Sequence, residues 1–406
     1  MKVLLLAPQP FYQERGTPIA VRLAAEALAD KYNAPEDRID LLVYHEGEKI
    51  GIPGVTIHRV TGCDFIKNIS PGISLKKLVC DLFFFFAALR LVWAFRRDQY
   101  HLVHAVEESV FIAVVLKLIF RIPYIYDMDS SIALQATEKW IILKPLYPIL
   151  SAFEKLGIKL SQAVVPVCDT LAVLADRHGS KHTHILRDVS LKAELPDARI
   201  DLRQELGIDS KEEIILYVGN LESYQGVDLL VDGFLSVEHE IPSARLVIIG
   251  GSESHRDVLK ERTKDHSAAE RIHIAGPRPV TALGEYLSQA DILASPRSKG
   301  NNTPMKIYSY LHSGRAILAT DLPTHTQVLN TDVSLLVAAN STAIGVGLKA
   351  LVVDHELRKQ LGKRAFDYAE QNFTLKVFRQ RLWELYTKLE QALGIDNKVS
   401  EISRTA

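Results

Sequence analysis

The chain has 406 residues, is 47% hydrophobic and 24% charged, and carries a formal net charge of −1. This balance excludes a disordered chain and gives no global basic footprint for nucleic acid, and the length suits two or three domains. Cys63, Cys80 and Cys168 have neither disulfide nor metal-ligand spacing along the sequence, which fits a reducing compartment.

The opening MKVLLLAPQP is too short in its apolar part for a signal peptide and predicts a buried first strand. No uninterrupted run of the roughly 18 apolar residues a spanning helix needs is present. The expectation is a cytoplasmic protein. After the strand at 2–8, residues 18–32 carry helical apolar spacing; 40–46 and 55–60 predict strands. Leu75 to Arg97 is an aromatic and basic helical stretch interrupted by Asp81 and Arg90. Strand 101–106, helix 109–120 and strands 123–128 and 163–169 complete a first βα series. From Leu186 to Glu212 the texture turns polar, which predicts a linker with a short helix. A second series follows: strand 213–220, helix 226–237, strands 244–251, 273–276, 291–296, 315–321 and 334–339, then helix from Glu356 to Leu393. The prediction is an α/β protein of two doubly wound domains, with ligand in a cleft at the strand C-termini.

Chemistry concentrates in the loops that follow strands. In SPRSKGNNTPMKIYSYLHSG, Arg297 and Lys299 flank a Gly300-Asn301-Asn302 turn, and Thr303-Pro304 reads as an N-cap followed by a first helical proline. Cations beside a helix N-terminus suit an anion such as phosphate; an ordinary loop with solvated charges fits the same residues equally well. Gly16-Thr17-Pro18 repeats the signature after the first strand, and GNLESYQGVD carries Gly219 and Gly226, which permit close backbone approach.

These stretches carry a resemblance. YVGNLESYQGVDLLVDGF and IAGPRPVTALGEYLSQADILASPRSKGNNTPMKIYSYLHSGRAILAT look like the C-terminal domain of the family-four retaining glycosyltransferases of the GT-B fold. RGTPIAVRLAAEAL, LVHAVEE and YDMDSS resemble their first domain more loosely. The resemblance implies two Rossmann-like domains: an acceptor-side domain over 1–188 and a nucleotide-sugar domain over 189–372. A terminal segment over 373–406 would pack back across both, and a hinge is expected near 187–200. It also implies a nucleotide diphosphate sugar as co-substrate, retention of configuration, and no cofactor or metal ion.

The chain departs from the family pattern. The Arg and Lys usual in the glycine loop fall on Asn220 and Gln225, and the two usual glutamates fall on Asn301 and Ser309. Arg297, Lys299 and Lys306 offset the lost cations. Lys306, read as lying in the first helical turn, is poorly placed beside a positive helix end unless an anion is near. The donor-side set is therefore Gly16, Asn220, Gln225, Lys299, Gly300, Asn301, Asn302, Thr303 and Ser309, with Arg297 and Lys306 stabilising the leaving diphosphate. On the acceptor side, Glu107 and Asp129, near Glu108 and Asp127, could orient or deprotonate a hydroxyl, or could be carboxylates favoured by helix dipoles. His104, inside an apolar strand, reads as a core residue.

Between Leu75 and Arg97, five cations (Lys76, Lys77, Arg90, Arg96, Arg97) accompany four consecutive phenylalanines and Trp93. The segment suits an anionic membrane surface, and it suits a partly buried core helix with a basic end. WIILKPLYPIL offers a second such contact. The expected function is transfer of a sugar to a hydroxyl acceptor that is lipid-linked or a polysaccharide precursor, peripherally at the inner membrane face. An epimerase of the same fold, which needs no acceptor, and a non-catalytic nucleotide-sugar-binding protein are the alternatives.

Overall fold

The computed structural model describes residues 1–13, 16–69, 74–190 and 201–395. It divides into two compact units, Met1–Arg187 with the segment from Phe378, and Asp188–Val377. Much of the expected hinge, residues 191–200, lies outside the described residues, as does the tail from 396.

The first unit is built on β1 (Lys2–Ala7), β2 (Arg38–Val43), β3 (Val55–Arg59), β4 (Leu102–Val106), β5 (Tyr124–Met128) and β6 (Ala163–Pro166), paired in parallel in the order β3-β2-β1-β4-β5-β6. The strands β4 and β6 are buried along their whole length and β1 all but at Lys2, because helices cover both sides. Those helices are α1 (Gly16–Lys31), α2 (Leu75–Ala94), α3 (Ser109–Phe120), α4 (Ile132–Lys139), α5 (Tyr147–Leu160) and α6 (Asp169–Arg177). The second unit repeats the plan with β7 (Glu213–Val218), β8 (Ala244–Ile249), β9 (Ile272–Gly276), β10 (Ile292–Ser295), β11 (Ala316–Thr320) and β12 (Leu335–Val337), in the order β12-β11-β10-β7-β8-β9. Its helices are α7 (Leu202–Leu206), α8 (Val227–Ser236), α9 (Glu253–Thr263), α10 (Leu283–Gln289), α11 (Lys306–Ser313), α12 (Pro323–Thr326), α13 (Ser341–Val353) and α14 (His355–Asn372).

In each unit the strand order reverses beside its first strand, between β1 and β4 and between β7 and β10. Diverging loops at such a switch point leave a crevice at the strand C-termini. The last helix, α15 (Leu375–Leu393), buries a stripe of Phe378, Leu382, Leu385, Tyr386 and Leu389. In the first unit Trp383 donates to the Ala27 carbonyl at 2.7 Å, and Tyr386 meets His104 Nδ1 at 2.9 Å.

Candidate active site

The second unit's crevice is made by the loops after β7 and β10. Gly226 has a φ of +67°, and a Cβ there would stand 2.1 Å from the Pro296 carbonyl oxygen, so these loops can touch only through glycine. The Ser298 amide locks them by donating to the Tyr224 carbonyl at 2.9 Å. Arg297 follows β10; its Nη1 donates to the Asn302 carbonyl and to Thr324 Oγ1, each at 2.8 Å. The guanidinium lies 5.2 Å from the centre of the Tyr224 ring, and its Nε is buried without a hydrogen-bond partner. The Lys306 ammonium lies 3.9 Å from the centre of the Tyr217 ring and 3.5 Å from Gln225 Oε1.

Burial pulls both cations below their ordinary pKa, and the Arg297 charge lowers Lys306 further; among the described residues no carboxylate contributes to either. Two desolvated cations without a counter-charge are costly, and an anion bound between them offsets that cost. Beneath them His325 is fully buried. Its Nδ1 faces the Thr320 carbonyl at 2.9 Å, and its Nε2 lies 2.8 Å from Ser295 Oγ. Burial holds this histidine down to about 4, so it stays neutral and adds no third charge.

The regular helix α11 begins at Lys306, not after Thr303. The Ile307 and Tyr308 amides bond back to the Pro304 and Met305 carbonyls, so a tight turn precedes the helical ladder. Thr303 is therefore no N-cap; its Oγ1 is buried without a partner. Lys306 is the first helical residue, nearer the positive helix end than the sequence reading had it. Gln225 is buried beside Lys306, whereas Asn220 is exposed and its carbonyl accepts from Tyr217 Oη at 2.6 Å. Lys299, Gly300 and Asn301 are exposed, and Asn302 is half-buried. Ser309 is fully buried and presents no surface.

In the first unit, a cavity of about 600 Å³ opens at the ends of β1 and β4, lined among others by Gln9, Gly16, Lys77, Glu107 and Glu108. Gly16 thus lines the first unit's cavity, and α1 starts with it, so Thr17 is inside the helix and not its cap. Glu107 has a φ of +52°, uncommon for a side chain that is not glycine. Its carboxylate accepts from Ser130 Oγ at 2.9 and 3.1 Å. Burial pushes it up to about 7, against the opposing pull of Ser130 and Lys77. Asp129 is half-buried in the loop after β5. Asp127 pairs with His104 Nε2 at 3.1 Å, so His104 is a satisfied core residue.

Lys77 corrects the sequence reading. It is not a surface cation: it is buried, paired with Glu108, and donates to the Pro8 carbonyl at 2.8 Å and to Tyr44 Oη at 3.1 Å. Position 77 falls on the buried stripe of α2 with Cys80, Phe84, Ala88 and Val92. Sequence reasoning missed Tyr217, Thr324, His325 and Gln9. Tyr217 is one apolar residue among several in a strand, and His325 has no spacing signal. Gln9 lines the cavity with its Nε2 buried and unpartnered.

Residues 198–368 match the family model described as Glycosyl transferases group 1. The match covers less than half of the chain, all of it in the second unit, and the architecture of the whole is the GT-B fold. The chain is 28% identical over 182 residues to the D-inositol 3-phosphate glycosyltransferase of Nocardia farcinica, a match over 43% of this chain and 40% of the relative. It thus spans about two fifths of the length of such curated relatives. Among solved structures, the fold is similar to sucrose-phosphate synthase from Thermosynechococcus elongatus, with a TM-score of 0.74 at 19% identity, covering 96% of this chain and 99% of that one. It is also similar to Anabaena HepE, solved in complex with UDP-glucose, with a TM-score of 0.68 at 14% identity, covering 96% and 100%.

Proposed function

We propose that the protein transfers a sugar, with retention of configuration and without a metal ion, from a nucleotide diphosphate sugar to the hydroxyl of a lipid-linked acceptor. The observation that carries the donor half is the pair Arg297 and Lys306: desolvated, without carboxylate partners, and at the switch point of the second unit. They would neutralise the diphosphate and stabilise the charge that develops as it leaves, a task a metal performs in other transferases. Asn301, Asn302, Lys299 and the Gly300 turn supply further donors and acceptors at the same loop. Gln225 keeps the neighbouring wall neutral, and Lys306 takes over the charge.

The acceptor would enter the first unit's cavity. Glu107, held near 7 by burial, is matched to accepting a proton from a hydroxyl near neutral pH, and Gln9 Nε2 offers a donor to the same ligand. Asp129 would act through the loop that carries Ser130. The cavity wall also includes Leu78, Phe111, Ile112 and Ile132, which suits an acceptor with an apolar portion.

The surface of that unit favours lipid. No described helix is long and apolar enough to cross a membrane. Yet α2 exposes Leu75, Leu78, Leu82, Phe86 and Trp93, and Ile142, Ile149 and Phe153 are exposed in the segment that includes α5. Lys76, Arg90, Arg96 and Arg97 are exposed on or beside α2. Interleaved apolar and basic groups are what an anionic interface takes up.

The direct test is transfer of labelled sugar from a panel of nucleotide sugars to lipid extracts and to soluble hydroxyl acceptors. A labelled lipid product with retained configuration supports the reading. Donor binding without transfer or hydrolysis would favour a non-catalytic binding protein, a reading motivated by neutral Asn220 and Gln225 and by the buried Ser309.

A further inference from the structure

We propose that His45, Cys63 and Cys80 form a binding site for a thiophilic cation of the zinc class in the first unit. The three residues are far apart in sequence, and the fold brings them together. His45 follows β2, Cys63 lies in the loop after β3, and Cys80 sits on the buried stripe of α2. Their ligating atoms all lie within 4.8 Å of one another, and no other such group of His, Cys, Asp or Glu occurs among the described residues.

The imidazole is set up as a ligand. His45 Nε2 lies 2.7 Å from the Ile66 carbonyl oxygen. A carbonyl only accepts, so Nε2 carries the proton and Nδ1 presents its lone pair. That lone pair faces Cys63 Sγ at 3.1 Å. A ring nitrogen fixed by a backbone carbonyl is the arrangement that orients metal-bound histidines. Zinc binds nitrogen at about 2.0–2.1 Å and thiolate at about 2.3 Å, which places neighbouring donors roughly 3.5–3.8 Å apart around a tetrahedral ion. The spread of the three donors accommodates that geometry with small side-chain movements. Two sulfurs and one imidazole are also the donor set soft cations select over magnesium or calcium.

The cation-free trio is weakly bonded. Thiols are poor hydrogen-bond groups, and both cysteines are fully buried. Burial raises both thiols, Cys80 to about 12, so without a cation they remain protonated and unreactive. A bound cation would displace both protons and tie β2, the loop after β3 and α2 together. The loop matters because its amides at Asn68 and Ile69 are held by the Glu46 carboxylate at 2.6 and 3.0 Å, and Ile69 lines the cavity. The site would therefore brace one wall of that cavity, with no part in the transfer chemistry.

The test uses the full chain, purified without chelator under reducing conditions. Elemental analysis should find about one zinc per chain. Cobalt added to metal-stripped protein should give a thiolate-to-cobalt charge-transfer band, and zinc should raise the melting midpoint. Cys63→Ser, Cys80→Ser and His45→Gln should each lower zinc content and weaken the band. Should a cysteine variant fail to fold, the cobalt titration of wild type and of His45→Gln still decides. Folded wild type that holds no zinc and gives no band overturns the proposal, as does a Cys63–Cys80 disulfide in freshly isolated protein.

Discussion

At the scale of single residues, the proposed donor site rests on two cations whose burial without a carboxylate partner among the described residues is visible only in three dimensions. Arg297→Ala and Lys306→Ala should each weaken nucleotide diphosphate binding by about 1.5–3 kcal/mol, the worth of a hydrogen bond to a charged group. Calorimetry with the product nucleotide checks this, and two variants that bind like wild type would dismiss the phosphate-by-cations account. Glu107 makes a different prediction. Its pKa is raised in the fold, to about 7, so the folded state holds that proton more tightly than the unfolded chain does. The associated stability is present below the ordinary carboxylate range and is lost as pH rises through about 7. Glu107→Gln should therefore raise the melting midpoint at pH 8 and leave it nearly unchanged at pH 4, while suppressing transfer at every pH. In wild type the transfer rate should climb with a midpoint near 7; a rate flat between pH 5.5 and 8.5 would remove Glu107 as the base. The sequence singled out Arg297 by its place between a strand and a Gly-Asn-Asn turn, but its burial against Asn302 and Thr324 depends on the fold. The left-handed backbone at Glu107 and the burial of Lys306 against Tyr217 and Gln225 were not legible, since both depend on what stands around them and not on spacing.

At the scale of elements, strand and helix runs were read closely because apolar runs bounded by Gly, Pro and Asp leave little choice. The predicted strands overran by one or two residues where the chain leaves the sheet, as at Gly219 and Pro296. The start of α11 was misplaced because Thr-Pro is only a local preference, and here Thr303 is drawn inward. Lys77 was misread for a related reason: a helix stripe can carry a buried lysine when acidic partners and a carbonyl meet it there. That correction changes the membrane test. Replacing Lys76, Arg90, Arg96 and Arg97 by Gln, and leaving Lys77 intact, should reduce binding to anionic vesicles without lowering the melting midpoint. Each basic residue near such a surface contributes about 1 kcal/mol. Wild-type protein that ignores anionic vesicles at low salt would make the exposed face of α2 irrelevant to lipid. His325 links β10, β11 and the start of α12 as a neutral base. Its pKa falls to about 4 in the fold, so the unfolded chain binds the extra proton between about 6.5 and 4. Stability should drop by up to about 3 kcal/mol as pH falls through that window, and His325→Gln should flatten the drop in urea titrations.

At the scale of the whole molecule, the two sheets share one winding order, and each places its polar loops at the reversal of that order. This much follows from the alternation of apolar strands and amphipathic helices, which is why the architecture could be read from the sequence while the partnering of its charges could not. The same logic governs cation dependence. On the proposed reading the donor phosphates would meet Arg297 and Lys306, so magnesium and manganese are assigned no role in donor binding. The right UDP- or GDP-sugar at a hundredfold its dissociation constant should stabilise the protein by about 2.7 kcal/mol. The shift in melting midpoint should be the same in excess EDTA as in millimolar magnesium. It should vanish in the Arg297→Ala, Lys306→Ala double variant and persist in His45→Gln, because the thiol site lies in the other unit and takes a different class of cation. A ligand-induced shift that disappears with EDTA and returns with magnesium or manganese, but not with zinc, would mean that a divalent ion carries the diphosphate and that the two cations do not.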